Sequence, residues 1–92
     1  MKENEQKIRD FIRNNNLKFT VGRRNSDSTI LAGYALHLGY DNSDENTLLT
    51  IIRSECKGVK PEEEFGKVLD FAYENHYEKF WTTSRAKKQY KF

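Results

Sequence analysis

Residues 26–39 read SDSTILAGYALHLG and contain the clearest helical pattern in the chain. Five apolar side chains recur there at the three- and four-residue spacing of one helix face: Ile30, Leu31, Tyr34, Ala35 and Leu38. Ser26 or Ser28 is a suitable N-cap, and Gly39 is a suitable residue at which to stop. The stretch predicts an amphipathic helix, and the small pair Ala32-Gly33 would let another backbone approach its far side.

Three further helical segments surround this one. The first covers about residues 3–15 and ends in three asparagines. The next follows a turn at residues 41–44 and keeps its apolar residues on one stripe as far as Cys56. The last starts at Pro61, which suits the first helical position, and should run to about Phe80. We therefore expect one mainly α domain over residues 1–92, folded as a compact bundle of about four helices.

The short stretch Leu17-Lys18-Phe19-Thr20-Val21 has a different pattern. Apolar and polar residues alternate in it, which predicts a β-strand over residues 17–21 that stops at Gly22. A single strand leaves its backbone groups unpaired, so it needs a partner. Two candidate partners exist: the alternating C-terminal residues 89–92, or the same strand of a second subunit in a homodimer.

The last predicted helix carries more aromatic side chains than one face can bury. Its core stripe on a helical wheel comprises Phe65, Val68, Leu69, Ala72, Tyr73, His76 and Phe80. His76 is accordingly expected to be a hydrogen-bonded core residue. Phe71 and Trp81 fall outside the stripe. Either the C-terminal segment folds back over them through Tyr90 and Phe92, or they form a patch that faces a partner.

Charge is distributed unevenly, although 16 Lys and Arg against 14 Asp and Glu give a net charge of only +2. Residues 41–70 hold eight acidic and four basic residues. Two basic segments, residues 17–25 and 82–92, contain no acid and flank that acidic middle. Their cations are Lys18, Arg23, Arg24, Arg85, Lys87, Lys88 and Lys91.

Motifs for enzymes, metals and cofactors are missing from the sequence. It has no glycine-rich phosphate loop, no cysteine pair and no two histidines at helical metal-ligand spacing. Cys56 lies on an apolar stripe, which favours a buried structural thiol over a nucleophile. We therefore expect no catalysis, no metal and no cofactor. The charged N-terminus and the lone cysteine favour a cytoplasmic protein with no membrane partner.

The order strand, helix, turn, helix resembles the ribbon-helix-helix family of small dimeric DNA-binding proteins. The matching pieces are residues 17–21, 28–38 and 44–56, although the turn between the two helices is longer than that family's. The resemblance implies that Lys18 and Thr20 would reach bases, with Arg23, Arg24 and Ser26 near phosphates. A helix-turn-helix motif is another interpretation, since Ala35 and Gly39 have the four-residue spacing of that motif. It would, however, place Glu45 at a position where the motif has an apolar residue.

Two functional hypotheses follow. The first is a small regulatory protein that binds nucleic acid without any named motif, through one basic face formed by both basic segments. Aromatic residues interleave with the C-terminal cations, so Tyr90 could stack on a base. The alternative is a protein-interaction module, such as a phage or mobile-element inhibitor or adaptor. It would dock through Phe71, Tyr77 and Trp81 or through the acidic middle.

Overall fold

The computed structural model describes residues 2–92, and in that part of the chain helices are the only regular structure. The α-helices are α1 (Lys2–Asn14), α2 (Arg24–His37), α3 (Glu45–Glu55), α4 (Phe65–Glu74) and α5 (Ser84–Gln89). Short 3₁₀ helices cover Asn42–Asp44, Pro61–Glu63 and Tyr77–Thr82. The mainly α fold is therefore confirmed.

Helix α2 is the central element, as its apolar pattern predicts. It packs chiefly against α4 and the 3₁₀ helix 77–82, and it also contacts α1. Leu31, Ala32 and Ala35 are fully buried, and Leu36 on the opposite side is also buried. The helix begins at Arg24, before either serine proposed as its cap, and Ser28 is instead buried within it. Burial on several sides explains why small residues occupy its middle.

The predicted strand over residues 17–21 does not form. Phe19 takes a left-handed conformation with φ 55°, which no strand residue adopts. The Asp27 carboxylate accepts hydrogen bonds from the backbone N–H groups of Lys18 and Phe19 at 2.9 and 3.0 Å. These donors are thus satisfied without a strand partner. The alternation of apolar and polar residues did correctly indicate that Leu17 and Phe19 are buried. The described residues nevertheless lack the strand that the ribbon-helix-helix resemblance requires.

The last long helix is also shorter than predicted. Helix α4 ends at Glu74, and His76 then adopts φ 55° before the chain continues as a 3₁₀ helix. The side chain of Asn75 donates to the Phe71 carbonyl at 2.8 Å and so satisfies the helix end. His76 lies at the surface beside Glu78, so the expectation of a core histidine was wrong. The change of direction turns Trp81 into the core.

The C-terminal segment is folded onto the domain. Thr83 caps α5 by accepting a hydrogen bond from the Ala86 N–H at 3.3 Å. The Trp81 ring centroid lies 5.0 Å from that of Tyr90 and 5.4 Å from that of Phe92. The fold-back alternative is therefore confirmed for Trp81. A helix of six residues was not expected in residues 82–92, where the sequence indicated only a basic tail or a strand.

Candidate functional site

A groove of about 360 Å³ opens between the middle of α2 and the 3₁₀ helix 77–82. We call it the aromatic groove, and it is lined by Thr29, Ile30, Gly33, His76, Tyr77, Phe80, Trp81 and Tyr90. Its volume lies within the range of pockets that bind small ligands, roughly 300–1,000 Å³. Its walls are mostly aromatic and aliphatic, so it suits a flat apolar group.

Trp81 contributes the most buried aromatic ring of the groove, with 3% of its surface exposed. Phe80 meets it edge to face, with ring centroids 5.2 Å apart, and Phe11 and Tyr34 pack against it from the core. Its indole N–H donates to no acceptor within residues 2–92. The nitrogen is not among the buried polar atoms that lack a partner, so it keeps some contact with solvent and can donate to a ligand.

Gly33 allows the indole to take this position. A methyl group added at Gly33 would come within 2.6 Å of Trp81 Nε1 and 3.4 Å of the Tyr77 carbonyl oxygen. Separations below about 3 Å are not tolerated without movement. The absence of a side chain at Gly33 therefore fixes the depth of the groove and places the indole edge at its floor.

The two basic segments meet at the end of α1. Arg23 donates to the Asn16 carbonyl at 3.3 Å. At the preceding residue, the Asn15 side chain holds the backbone of Lys91 with two hydrogen bonds of 2.8 Å each. One residue from each basic segment, Arg23 through its side chain and Lys91 through its backbone, thus contacts adjacent positions at the end of α1.

Two of the seven predicted cations stabilise the fold. Arg23 pairs with the buried Asp27 at 3.5 Å, and Arg24 pairs with Glu63 at 3.1 Å. The other five are exposed, and none of them forms an ion pair with a carboxylate in the described part of the chain: Lys18, Arg85, Lys87, Lys88 and Lys91. Lys18 lines a cleft together with Glu55 and Cys56, and no residue of α5 lines that cleft.

The three aromatic residues predicted to bind a partner do not lie on one surface. Phe71 is 56% exposed, and its ring meets that of the half-buried Tyr77 edge to face at 5.8 Å. Trp81 is buried and does not form a surface patch with them, so that part of the prediction was wrong. Tyr77 and Trp81 instead share the aromatic groove.

Sequence reasoning missed most of the groove. Ile30 and Phe80 were assigned to core stripes, yet both are only half-buried and line it. The small pair Ala32-Gly33 was the one usable signal, because it indicated close approach to α2. The left-handed His76 that turns the chain back over α2 has no sequence signature of its own.

Cys56 and the other polar groups add no second site. Cys56 is half-buried, and its Sγ donates to the Leu17 carbonyl at 3.4 Å. Burial raises the pKa of this thiol, which disfavours the thiolate at neutral pH. Within residues 2–92 no three His, Cys, Asp or Glu side chains are grouped so that they could hold a metal ion. No helix in that range combines the length and apolarity needed to cross a membrane.

Comparison with known proteins supplies no family for this chain. No protein-family model matches it, and no curated protein or solved structure does either.

Proposed function

We propose that this is a small non-enzymatic regulatory protein that binds nucleic acid through the cations of its C-terminal segment. The observation that carries the proposal is the pair of contacts at adjacent residues, Asn15 with Lys91 and Asn16 with Arg23, which bring the two basic segments together. Arg85, Lys87, Lys88 and Lys91 then add exposed positive charge without carboxylate partners among the described residues.

The fold favours this role for α5 in particular. Ala86 is buried and Tyr90 is half-buried, so these two residues anchor the segment to the core. Arg85, Lys87 and Lys88 are exposed around that anchor. Cations on an ordered helix lose less freedom on binding phosphates than cations on a disordered tail would. Phosphate contacts of this kind give affinity without sequence preference.

The test replaces the three α5 cations by alanine in one variant, R85A/K87A/K88A. Alanine preserves or improves helix propensity, so the variant should fold. The matched control is K57A/K60A/K67A, which removes three exposed lysines from the acidic middle of the chain. We expect the α5 variant to lose at least tenfold in affinity for a single-stranded oligonucleotide at low salt. Equal affinities of the two variants would contradict the proposal.

A second candidate function is supported by the exposure of Phe71. This side chain lies beside Tyr77, at a cleft of about 310 Å³ that Lys67 and Glu64 also line. Exposed aromatic residues next to mixed charges are typical of protein interfaces. A protein-interaction module, such as a phage or mobile-element inhibitor or adaptor, would use this surface.

Phe71→Lys tests that candidate. The change should abolish binding of a protein partner captured from the native host, while Val21→Lys should preserve it. Val21 is a suitable control because it is 87% exposed and lies outside this cleft. Retention of the partner by both variants would argue against the Phe71 surface.

A further inference from the structure

We propose that the aromatic groove receives one unpaired nucleobase of a single-stranded nucleic acid. The base would lie among the aromatic walls, and the Trp81 indole N–H would donate to one of its carbonyl oxygens. This inference rests on the proposed function, because the α5 cations would hold the phosphates on either side of that base.

The groove offers what a base requires. Tyr77, Phe80 and Tyr90 are half-buried, so each presents part of its ring to the space while the rest is fixed in the core. Aromatic side chains of this kind stack on bases, whatever the base. The Trp81 side chain is buried beside Gly33, but its indole nitrogen has no acceptor in residues 2–92 and is not among the fully buried unpaired atoms there, so it can donate to a ligand. Thymine and uracil carry carbonyl acceptors at their edges.

Charge distinguishes a nucleic acid from an apolar peptide as the occupant. Tyr90 forms part of the groove and follows Lys87 and Lys88 closely in the chain, so these cations and the groove belong to one short segment. Those lysines have no carboxylate partner in the described residues, and phosphates would supply the missing negative charge. His76, which also lines the groove, lies 3.4 Å from the Glu78 carboxylate.

A base can enter the groove only when it is not stacked and paired in a duplex. Proteins that read individual bases in pockets act on single strands, loops or flipped nucleotides for this reason. The inference therefore predicts preference for single-stranded over double-stranded oligonucleotides. The proposed function alone, which needs only phosphates, predicts no such preference.

Trp81 provides a direct readout because it is the only tryptophan in the chain. The experiment titrates the protein with oligothymidylate, with an abasic oligodeoxynucleotide of the same length, and with the corresponding duplex. We expect oligothymidylate to bind roughly tenfold more tightly than the abasic strand, because stacking one base on aromatic side chains increases affinity by about that factor. It should also quench Trp81 emission, which the abasic strand should not.

The two proposals fail in different ways. If the abasic strand binds as tightly as oligothymidylate and neither changes Trp81 emission, the base site is wrong while the phosphate-binding function stands. If no strand binds at low salt, both are wrong. An acidic peptide with an apolar anchor residue and oligothymidylate can also be compared as ligands of the groove. If the peptide binds more tightly than oligothymidylate, the groove belongs to a protein partner and the inference is overturned.

Thr29→Phe tests the groove itself. Thr29 is half-buried at its wall, so a larger side chain there should fill the space without entering the core. The variant should keep the affinity of the wild type for the abasic strand and lose the tenfold preference for oligothymidylate. Should this variant not fold, Tyr77→Ala removes one wall and carries the same expectation. Tyr73→Ala is the control, since Tyr73 is 46% exposed and lies outside the groove.

Discussion

The side chain of Asn15 holds the backbone of Lys91 at both of its hydrogen-bonding groups. Its Nδ2 donates to the Lys91 carbonyl at 2.8 Å, and its Oδ1 accepts from the Lys91 N–H at 2.8 Å. These two residues are 76 positions apart in the chain. The contact therefore fixes the C-terminal segment to the end of α1, and with it the position of the cations on α5.

Asn15→Ala should weaken that attachment. We expect the free energy of unfolding in urea to fall by about 1–3 kcal/mol, because two hydrogen bonds are lost and each contributes about 0.5–1.5 kcal/mol net. Affinity for single-stranded oligonucleotides should fall as well, because the cations lose their fixed position. Asn14→Ala is the control, since this exposed neighbour makes no side-chain hydrogen bond in the described structure. Similar losses in both variants would show that Asn15 has no special role.

Asp27→Ala should be among the most destabilising changes in the chain. The carboxylate is 2% exposed, and it accepts the N–H groups of Lys18 and Phe19 as well as pairing with Arg23. Its removal leaves backbone donors without acceptors, at a cost of about 3 kcal/mol. Asp70→Ala, at an exposed position, should change the free energy of unfolding by less than about 0.5 kcal/mol. Chemical denaturation of both variants measures the difference.

Two glycines in helices should respond oppositely to alanine. At Gly33 the new methyl would meet the Trp81 ring, which other aromatic rings hold in place, so Gly33→Ala should destabilise by about 1–3 kcal/mol. At Gly66 it would meet only the Glu45 carboxylate, which can swing away. Gly66→Ala should therefore be neutral or stabilise by up to about 1 kcal/mol. Thermal unfolding distinguishes them, and a stable Gly33→Ala protein with unchanged Trp81 emission would contradict the groove geometry.

Stability should depend on pH through Glu55. Hydrogen bonds from Arg13, and then from Arg9, hold the pKa of this carboxyl below its usual value of 4.5. A carboxyl whose pKa is lowered by folding stabilises the fold above its unfolded pKa, and this contribution is lost as pH falls through the folded pKa. Glu55→Gln should therefore destabilise by about 1 kcal/mol at pH 7, and by progressively less as the pH is lowered through the folded pKa. A difference that stays the same as the pH is lowered would exclude this role.

The sequence predicted the helices well where one face is apolar and the ends carry recognisable signals. The stripe of Leu31, Tyr34 and Ala35 and the stop at Gly39 predicted α2. Pro61 was predicted as the first residue of the last helix, and it does begin helical structure there, but as the 3₁₀ helix Pro61–Glu63 that precedes α4. Such signals are local, so they can be recognised without knowledge of the tertiary structure.

The errors arose where a distant residue decides the local structure. The alternation of apolar and polar residues in 17–21 fits a strand, but it also fits a loop whose backbone N–H groups donate to Asp27. The sequence pattern cannot distinguish the two, because only folding brings the Asp27 carboxylate to this loop. The wheel for the last helix assumed that it continues past Asn75. The left-handed His76 ended it and moved Trp81 from the expected surface patch to the core.

The salt dependence of binding tests the central claim most directly. For single strands the logarithm of affinity falls against the logarithm of salt concentration with a slope of about −0.7 for each phosphate neutralised. If Arg85, Lys87 and Lys88 contact phosphates, R85A/K87A/K88A should reduce the magnitude of the slope by about 2, while K57A/K60A/K67A leaves it unchanged. A wild-type affinity that does not depend on salt, or an equal slope in all three proteins, would contradict the claim.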